Sequence, residues 1–300
     1  SMVLFYLYNM AKILITGGTG LVGSRLTELL TKNKHEVRIL SRTPEGKNEF
    51  KWDISNNYID EKALTDIEYV IHLAGAGIAD KRWTDARKKV IIDSRVDTAN
   101  LIFKKIKAQK ITLKGFISSS GSNYYGAKTT DKIYKETDNA GDDYLGEVCQ
   151  KWEQAAHQFE KLNIPVTILR TGVVLSKKGG ALDQMKTPIV APLGSGKQYM
   201  AWIHIDDLCG LYIKAIEEDF TGVYNAVSPE FHTSKTFSKT LAKAIKRPFL
   251  AINVPGFLLK LIFGELAIIL LEGSRLSSEK IAEKGFNFQH KELKEALNNL

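Results

Sequence analysis

Three glycines spaced three residues apart provide the clearest chemical pattern in the sequence. Gly17, Gly20 and Gly23 follow a run of strand-forming residues and precede an amphipathic stretch. At such a junction the first glycine permits a tight turn, the second lets the backbone approach a diphosphate, and the third allows close packing of helix on strand. The N–H groups at the helix start, at Leu21 and Val22, are free to bind phosphate oxygens. The pattern predicts a dinucleotide-binding turn, and the alternative is a glycine-rich turn without a ligand.

The residues after the second predicted strand indicate which dinucleotide binds. A site that prefers NAD has an acidic residue there, whereas this chain has Ser41, Arg42 and Thr43. A guanidinium beside two hydroxyls suits a 2′-phosphate, so we predict that Arg42 selects NADP(H) over NAD(H); the alternative is a surface arginine. Asp53, near the end of a short third strand, is interpreted either as an acceptor for the adenine amino group or as a turn residue.

The elements that must position these residues alternate between strand and helix. Strands are predicted at residues 12–16, 36–40, 69–73, 115–118, 166–170 and 222–226, and helices at 21–32, 85–107, 145–161 and 206–217. Such alternation predicts an α/β protein with a Rossmann-like, doubly wound parallel sheet. Four helical segments follow at 234–246, 256–271, 278–284 and 291–297. They predict a small, mostly helical C-terminal lobe.

We therefore divide the chain into an N-terminal extension (1–9), an NAD(P)-binding Rossmann domain (10–228) and a C-terminal substrate or lid domain (229–300). The apolar segment 257–271 is interpreted as a buried or lid helix, because Lys260, Gly264 and Glu265 interrupt it and it is too short to cross a bilayer. We expect no membrane association, and a monomer or homodimer.

Composition narrows the class of partner. The formal net charge is +8, from 42 basic and 34 acidic residues. The lysines are scattered, which favours small anionic ligands over nucleic acid. Cys149 and Cys209 are far apart and lack a metal-ligand spacing, so we expect no disulfide, no metal site and a cytoplasmic location.

Several motifs together resemble the extended short-chain dehydrogenase/reductases, the NAD(P)-dependent epimerase/dehydratase group. Besides the glycine turn, the resemblance rests on HLAG at 72–75 and WIHIDD at 202–207. Other motifs are similar to the YfcH-like epimerase branch, whose C-terminal domain is called DUF1731: IADKRWT at 78–84, DSRV at 93–96 and PLGSGK at 192–197. The resemblance implies cofactor contacts at Leu73, Ala74, Gly75, Ser118, Arg170, Gly172 and Val173, with Gly75 at the nicotinamide ribose.

The sequence departs from this group where proton transfer is usual. Typical members carry a tyrosine and a lysine four residues apart, and the lysine lowers the pKa of the tyrosine. Here Glu153, aligned with the group's usual glutamate, puts Leu145 and Cys149 in those two positions. The nearby tyrosine is Tyr144, and Gly121 occupies the usual serine position. The standard proton relay is therefore not predicted.

Three residues are candidates to replace the relay. Tyr125 lies near the carboxyl end of a predicted strand and is either a proton donor or a packed aromatic. Ser120 lies beside the usual serine position. Cys149 requires a cation or a helix N-terminus to form a thiolate, and is otherwise a buried, inert cysteine.

Cations near the nicotinamide pocket suggest a substrate class. Arg82, Trp83 and Lys197, with Lys88 and Arg95, would suit an anionic or sugar-like small molecule through charged hydrogen bonds and stacking. The alternative is a set of solvated surface charges.

Two histidines are given structural interpretations. His204, followed by Asp206 and Asp207, begins a predicted helix, so capping and packing are favoured over a metal or acid–base role. His72, within an apolar strand, is interpreted as a core residue.

Two functions follow from the sequence. The first is an NADP-dependent oxidoreductase or nucleotide-sugar-epimerase-like protein, whose substrate the sequence does not name. The alternative is a catalytically inactive NADP-binding protein with a redox-sensing or regulatory role, which the missing dyad motivates.

Overall fold

The computed structural model describes residues 10–218 and 220–300, and its centre is an eight-stranded sheet. The predicted N-terminal extension at residues 1–9 lies outside the described residues. The strands of the chain, in order, are β1 Lys12–Thr16, β2 Glu36–Ser41, β3 Glu49–Asp53, β4 Tyr58–Ile59, β5 Tyr69–His72, β6 Gly115–Gly121, β7 Ile133–Tyr134, β8 Val166–Thr171, β9 Val173–Leu175, β10 Trp202–His204, β11 Gly222–Ala226 and β12 Arg275–Leu276. The large sheet has the order β11-β8-β6-β5-β1-β2-β3-β4. Its pairs are parallel except β3 with β4.

Helices cover both faces of this sheet, as the alternating pattern predicted. The helices of the described residues, in the sheet layers and in the C-terminal region together, are α1 Leu21–Lys32, α2 Glu61–Leu64, α3 Asp85–Gln109, α4 Tyr144–His157, α5 Ala181–Met185, α6 Ile205–Glu217, α7 Ser234–Ala244, α8 Gly256–Phe263, α9 Ile268–Leu271, α10 Glu279–Glu283 and α11 Leu293–Asn298. Along β1, Ile13 and Ile15 pack with α1 and α6, whereas Leu14 packs with α2, α3 and α4. This alternation is why β1 is apolar at consecutive positions: successive side chains of a strand point to opposite faces, and both faces are buried.

The glycine turn lies at the point where the strand order of the sheet reverses. The chain runs from β1 outward through β2 and β3, and then returns to β5 on the other side of β1. The loops after β1 and β5 therefore diverge and leave a crevice at the carboxyl ends of the strands, where open α/β sheets bind ligands.

The C-terminal lobe is mostly helical, but the predicted helix at 256–271 is wrong as a single element. Helix α8 ends at Phe263, a 3₁₀ turn covers Gly264–Ala267, and α9 follows. Gly264 has φ +63°, a left-handed conformation that glycine adopts readily and that ends the α-helix. Within the described residues, no helix has the length and apolar character needed to span a bilayer.

The lobe packs on the large domain through shared apolar residues and polar links. Trp202 of β10 and Phe237 of α7 belong to one buried apolar cluster. The Asp207 carboxylate accepts hydrogen bonds from the backbone N–H groups of Gln289 (2.6 Å) and His290 (3.0 Å). The cluster crosses the proposed boundary at residue 228, and the division into domains stays a prediction.

Candidate cofactor-binding cleft

The three glycines of the turn have different surroundings. Gly17 has φ +69°, and a Cβ atom there would lie 3.0 Å from the backbone of Leu73. A Cβ atom at Gly23 would lie 2.2 Å from the Gly17 carbonyl oxygen, so glycine is required for the close approach of α1 to the turn. A Cβ atom at Gly20 would meet only the Gly17 carbonyl oxygen at 3.2 Å, and Gly20 is exposed. Gly17 and Gly23 are thus tightly packed, whereas the backbone at Gly20 is open to the surface.

Thr16 connects the glycine turn to the loop after β5. Its hydroxyl oxygen accepts hydrogen bonds from the N–H groups of Leu73 (3.1 Å) and Ala74 (3.1 Å). Gly75 follows directly and is exposed. The structure therefore brings the predicted cofactor residues Leu73, Ala74 and Gly75 to the same crevice as the glycine turn.

Arg42 and Asp53 lie on the opposite side of the turn, where the predicted adenosine half would bind. Arg42 follows β2 and is exposed, and no ion pair engages it within the described residues. Asp53 is occupied by its own turn: it accepts hydrogen bonds from the Ser55 hydroxyl (2.6 Å) and from the Asn56 side-chain amide (2.8 Å). These hydrogen bonds lower the Asp53 pKa to about 2. The geometry favours the turn interpretation for Asp53.

The Arg170 side chain is held by contacts inside the protein, and the cofactor contact that the resemblance implied at this position stays a prediction. Its guanidinium makes a two-point ion pair with Glu153 (2.8 and 2.9 Å) and donates to the Tyr125 hydroxyl (2.9 Å). Only 3% of Arg170 is exposed, and its guanidinium stacks 3.3 Å from the ring centroid of Tyr124. Because these contacts occupy the charged group, the Arg170 side chain is unavailable to a cofactor.

Tyr125 is a packed aromatic whose hydroxyl has two partners. It accepts from Arg170 and donates to the Asn225 side-chain oxygen (2.7 Å), and the residue is 2% exposed. Burial raises its pKa to about 12. This geometry favours the packed alternative over the predicted proton donor, and the catalytic role stays a prediction.

The other two predicted catalytic side chains, those of Ser120 and Cys149, are also buried within the protein. The Ser120 hydroxyl donates to Glu153 (2.8 Å), and the neighbouring Ser118 is fully buried with its hydroxyl bonded to the Ser119 carbonyl. Burial raises the pKa of the Cys149 thiol to about 11, which favours the inert alternative, and its catalytic role stays a prediction. A Cβ atom at Gly121 would lie 3.3 Å from the Cys149 sulfur. The positions of the usual serine and the usual lysine are therefore neighbours, but here they hold a glycine and a cysteine.

The nicotinamide-side residues after β8 form a close backbone contact. A Cβ atom at Gly172 would lie 2.7 Å from the Ala201 carbonyl oxygen, and Val173 begins β9 beside β10. Glycine at 172 is therefore needed for packing between strands, whether or not this segment also lines the cofactor.

Arg82 and Trp83 lie where the large domain meets the C-terminal lobe. The Trp83 ring meets the Tyr144 ring edge-on with centroids 4.9 Å apart, and its indole N–H donates to the Ile78 carbonyl (2.9 Å). The exposed Arg82 guanidinium lies 3.1 Å from the Cβ position of Gly264. A charged and an aromatic group of the large domain thus lie beside the C-terminal lobe.

Lys197 sits on another loop that faces the C-terminal lobe. It is exposed, and the loop is held by the Gln198 side-chain amide, which donates to the Leu270 carbonyl (2.7 Å). No cation–π contact joins Lys197 to Trp83 in the described part of the chain. The structure therefore supports Arg82 and Trp83 as neighbours, and leaves Lys197 as a separate prediction.

His72 is a core residue, as the sequence predicted. The Trp152 indole N–H donates to its Nδ1 (3.3 Å), and its Nε2 hydrogen-bonds the Thr98 hydroxyl (2.9 Å). A tryptophan nitrogen can only donate, so the neutral ring carries its proton on Nε2. Burial lowers the His72 pKa to about 3.

His204 caps α6, which confirms the predicted structural role. Its Nδ1 accepts from the Asp206 backbone N–H (3.1 Å). The potential ligand atoms of His204, Asp206 and His290 lie within 4.8 Å of one another. However, a neutral His204 ring that accepts at Nδ1 is protonated on Nε2 and offers no lone pair to a metal, and Arg25 already pairs with Asp206 (2.7 Å).

Sequence reasoning missed Asn225 and Glu136. The Asn225 amide donates to the Ser277 carbonyl (3.1 Å), and its backbone N–H donates to the Glu136 carboxylate (2.8 Å). These contacts join residues 52 and 89 positions apart, and no local pattern indicates them.

A mostly parallel sheet with a glycine turn at the point where its strand order reverses is the architecture of a dinucleotide-binding Rossmann protein. The model of the NAD dependent epimerase/dehydratase family matches residues 13–227, and that of the DUF1731 domain of unknown function matches residues 254–300. The chain therefore belongs to the NAD dependent epimerase/dehydratase family, as the sequence motifs indicated.

Relatives of known sequence match over nearly the full length. An epimerase family protein of Mycobacterium bovis is 34% identical over 294 residues, covering 96% of each chain. Mouse epimerase family protein SDR39U1 is 33% identical over 297 residues, covering 96% of this chain and 99% of its own.

Solved structures give the same result. Human SDR39U1, crystallised with NADPH, has a TM-score of 0.85 and 32% identity, with 96% of this chain and 98% of that chain covered. A nucleoside-diphosphate sugar epimerase from Corynebacterium glutamicum has a TM-score of 0.77 and 28% identity, with 96% of this chain and 57% of that chain covered.

Proposed function

We propose that this protein binds NADP(H) and transfers a hydride between the nicotinamide ring and a small anionic or sugar-like substrate. The observation that carries the proposal is the open backbone at Gly20, with the exposed Arg42 at the end of the neighbouring strand. The turn suits a diphosphate, and Arg42 supplies a charged partner for a 2′-phosphate. Human SDR39U1, a similar protein, was crystallised with NADPH, which supports the same cofactor here.

The residues that would hold the cofactor are those lining the crevice. Gly17, Gly20 and the N–H groups of Leu21 and Val22 would hold the diphosphate, and Arg42 would hold the 2′-phosphate. The loop at 73–75 would border the nicotinamide half. When bound, the cofactor supplies hydride transfer at its nicotinamide ring.

Calorimetric titration with NADPH and NADH tests the cofactor assignment. We expect NADPH to bind roughly ten- to a hundredfold more tightly than NADH, because a hydrogen bond to a charged group contributes about 1.5–3 kcal/mol. Arg42→Ala should reduce NADPH affinity by this factor and leave NADH affinity nearly unchanged. The matched control is Arg38→Ala, since Arg38 lies on the same strand but pairs with Glu36. Equal affinities of the parent for both cofactors would contradict the assignment.

The substrate class is proposed from Arg82, Trp83 and Lys197. A guanidinium and an indole at the junction of the lobes suit an anionic group and a flat or sugar ring. Nucleotide sugars combine these features, and a similar protein from Corynebacterium glutamicum is named a nucleoside-diphosphate sugar epimerase. A metabolite screen that follows NADPH absorbance would identify the substrate, and Arg82→Ala should raise KM more than it lowers kcat.

A second candidate is a cofactor-binding protein without turnover. It is favoured because Ser120, Tyr125 and Cys149 are all buried, and the hydroxyls of Ser120 and Tyr125 are hydrogen-bonded to other side chains of the protein. The same screen distinguishes the two functions. Tight NADPH binding with no substrate-dependent oxidation would support the second candidate, whereas a turnover that Tyr125→Phe reduces by about a hundredfold or more would support the first.

A further inference from the structure

Arg95 is a buried cation that has no anionic partner among the described residues. It lies on α3, only 8% of its surface is exposed, and its guanidinium donates to the carbonyl oxygens of Ala76 (3.0 Å) and Ile91 (2.8 Å). Its Nε is buried without a hydrogen-bond partner. Among the described residues no carboxylate forms an ion pair with it, which contrasts with the buried Arg170 and its partner Glu153. Buried charges in proteins are usually paired, so an unpaired one requires an explanation.

The groups around Arg95 do not neutralise it. Its guanidinium stacks on the Trp152 ring at 4.7 Å, and the titratable groups that interact with its charge are Cys149, Tyr144, Arg87 and the neutral His72. Burial raises the pKa of Cys149 to about 11 and that of Tyr144 to about 12, so both are uncharged near neutral pH. Arg87 is itself a cation. Burial lowers the Arg95 pKa, but an arginine guanidinium stays protonated in proteins, so its positive charge acts on its surroundings.

Arg95 lies directly against the loop that borders the crevice. A Cβ atom at Gly75 would lie 2.9 Å from the Arg95 Cζ atom, and Gly75 itself is exposed. The guanidinium also fixes this loop through the Ala76 carbonyl. A dinucleotide whose diphosphate sits at the glycine turn extends its adenosine half toward β2 and β3, and its other half toward β5 and β6. The charge of Arg95 is thus on the nicotinamide side.

We propose that Arg95 places a permanent positive charge beside the nicotinamide half of the bound cofactor, and that this charge makes the site bind NADPH more tightly than NADP⁺. The inference rests on the proposed function, because it requires the cofactor. The nicotinamide ring is positive in NADP⁺ and neutral in NADPH, whereas the phosphates are the same in both. A fixed cation therefore repels only the oxidised ring.

The test measures the affinity ratio of NADPH to NADP⁺ by calorimetry. We expect the parent protein to favour NADPH by about tenfold, the effect of two unit charges roughly 10 Å apart in a partly buried site. Arg95→Met, which keeps an apolar stem over Trp152, should bring the ratio close to one. Arg95→Lys should retain most of the preference. A purely structural role would weaken both forms equally and leave the ratio unchanged.

Two further measurements separate this inference from misfolding and from a general loss of binding. Lys89→Met is the matched control, since Lys89 is exposed on the same helix and pairs with Asp93 (2.7 Å), and it should leave the ratio unaltered. Adenosine 2′,5′-bisphosphate, which lacks the nicotinamide half, should bind the parent and Arg95→Met equally.

Two results would overturn the inference. Equal binding of NADPH and NADP⁺ by the parent would refute it whether or not the variants fold, and so would an unchanged ratio in Arg95→Met. In both cases tight binding of NADPH would leave the proposed function intact. A parent protein that binds neither form would instead refute the proposed function, and the inference with it.

Discussion

Gly20 and Gly23 lie three residues apart in the same turn, yet an added side chain would meet very different atoms. At Gly23 the Cβ position overlaps backbone atoms of Gly17 and Gly18, whereas at Gly20 its one close neighbour among the described residues is the Gly17 carbonyl oxygen at 3.2 Å. Gly20 also has an ordinary φ of −77°, which a branched residue adopts without strain. Within the same turn, Gly23 is therefore required for packing, whereas Gly20 leaves the backbone open for a ligand.

The residue-scale prediction compares substitutions at these two glycines. Gly20→Val should leave the thermal midpoint nearly unchanged but reduce NADPH affinity by about a hundredfold or more, because the side chain occupies the diphosphate position and removes charged hydrogen bonds. Gly23→Ala should destabilise the protein by about 1–3 kcal/mol through overpacking. Circular dichroism melts and calorimetry provide both readouts. Retained NADPH binding in Gly20→Val would mean that the turn serves the fold alone.

At the scale of elements, α4 and β8 are joined by the Glu153–Arg170 ion pair. Both side chains are buried, and Ser120 of β6 adds a hydrogen bond to the same carboxylate. Arg170 also reaches Tyr125, whose hydroxyl contacts Asn225 of β11. This network connects the neighbouring strands β6, β8 and β11 on the side of the sheet away from the adenosine half.

Removing one partner of this pair should be costly. Glu153→Gln leaves the Arg170 charge buried and uncompensated, and we expect the free energy of unfolding to fall by about 3–5 kcal/mol. The control is Glu147→Gln on the same helix, which breaks an exposed pair with Lys151 and should cost no more than about 0.5 kcal/mol. Urea denaturation measures both changes. Similar small losses in the two variants would show that the buried pair contributes little.

At the scale of the whole molecule, two buried histidines connect protonation to stability. Burial lowers the pKa of His72 to about 3 and that of His204 to about 4, both below the ordinary value of about 6.5. The unfolded chain therefore binds protons that the folded protein does not bind. The stability that these two histidines contribute is fully present above about pH 7 and is lost as the pH falls through their unfolded pKa.

We expect each histidine to reduce the free energy of unfolding by about 1.4 kcal/mol between pH 7.5 and pH 5.5. His72→Gln keeps an amide that can accept from Trp152 and donate to Thr98, so the variant should fold. It should remove about half of the combined loss from the two histidines. Urea denaturation at several pH values measures the dependence. An identical pH dependence in the parent and in His72→Gln would contradict the assigned neutral state of His72.

The sequence alone determined the sheet, the glycine turn and the family, because these depend on short-range patterns. Consecutive apolar residues in β1 indicate a strand buried on both faces, and three glycines over seven residues define the turn without any distant partner. The C-terminal lobe was also predicted as helical. Lys260, Gly264 and Glu265 visibly interrupt the apolar run at 257–271, but only the structure shows that the α-helix ends at Phe263.

Only the tertiary structure decided which chemical groups are free to act. The hydroxyl of Tyr125 meets Arg170 and Asn225, which lie 45 and 100 positions further along the chain. Arg95 is close to Gly75 because α3 folds back against the loop after β5, and no spacing in the sequence expresses that approach. A group's availability depends on burial and on distant partners, so identical residue types can be structural at one position and active at another. For that reason Arg170, an expected cofactor contact, is occupied by internal ion pairing, whereas the charge of Arg95 stays unpaired beside the crevice.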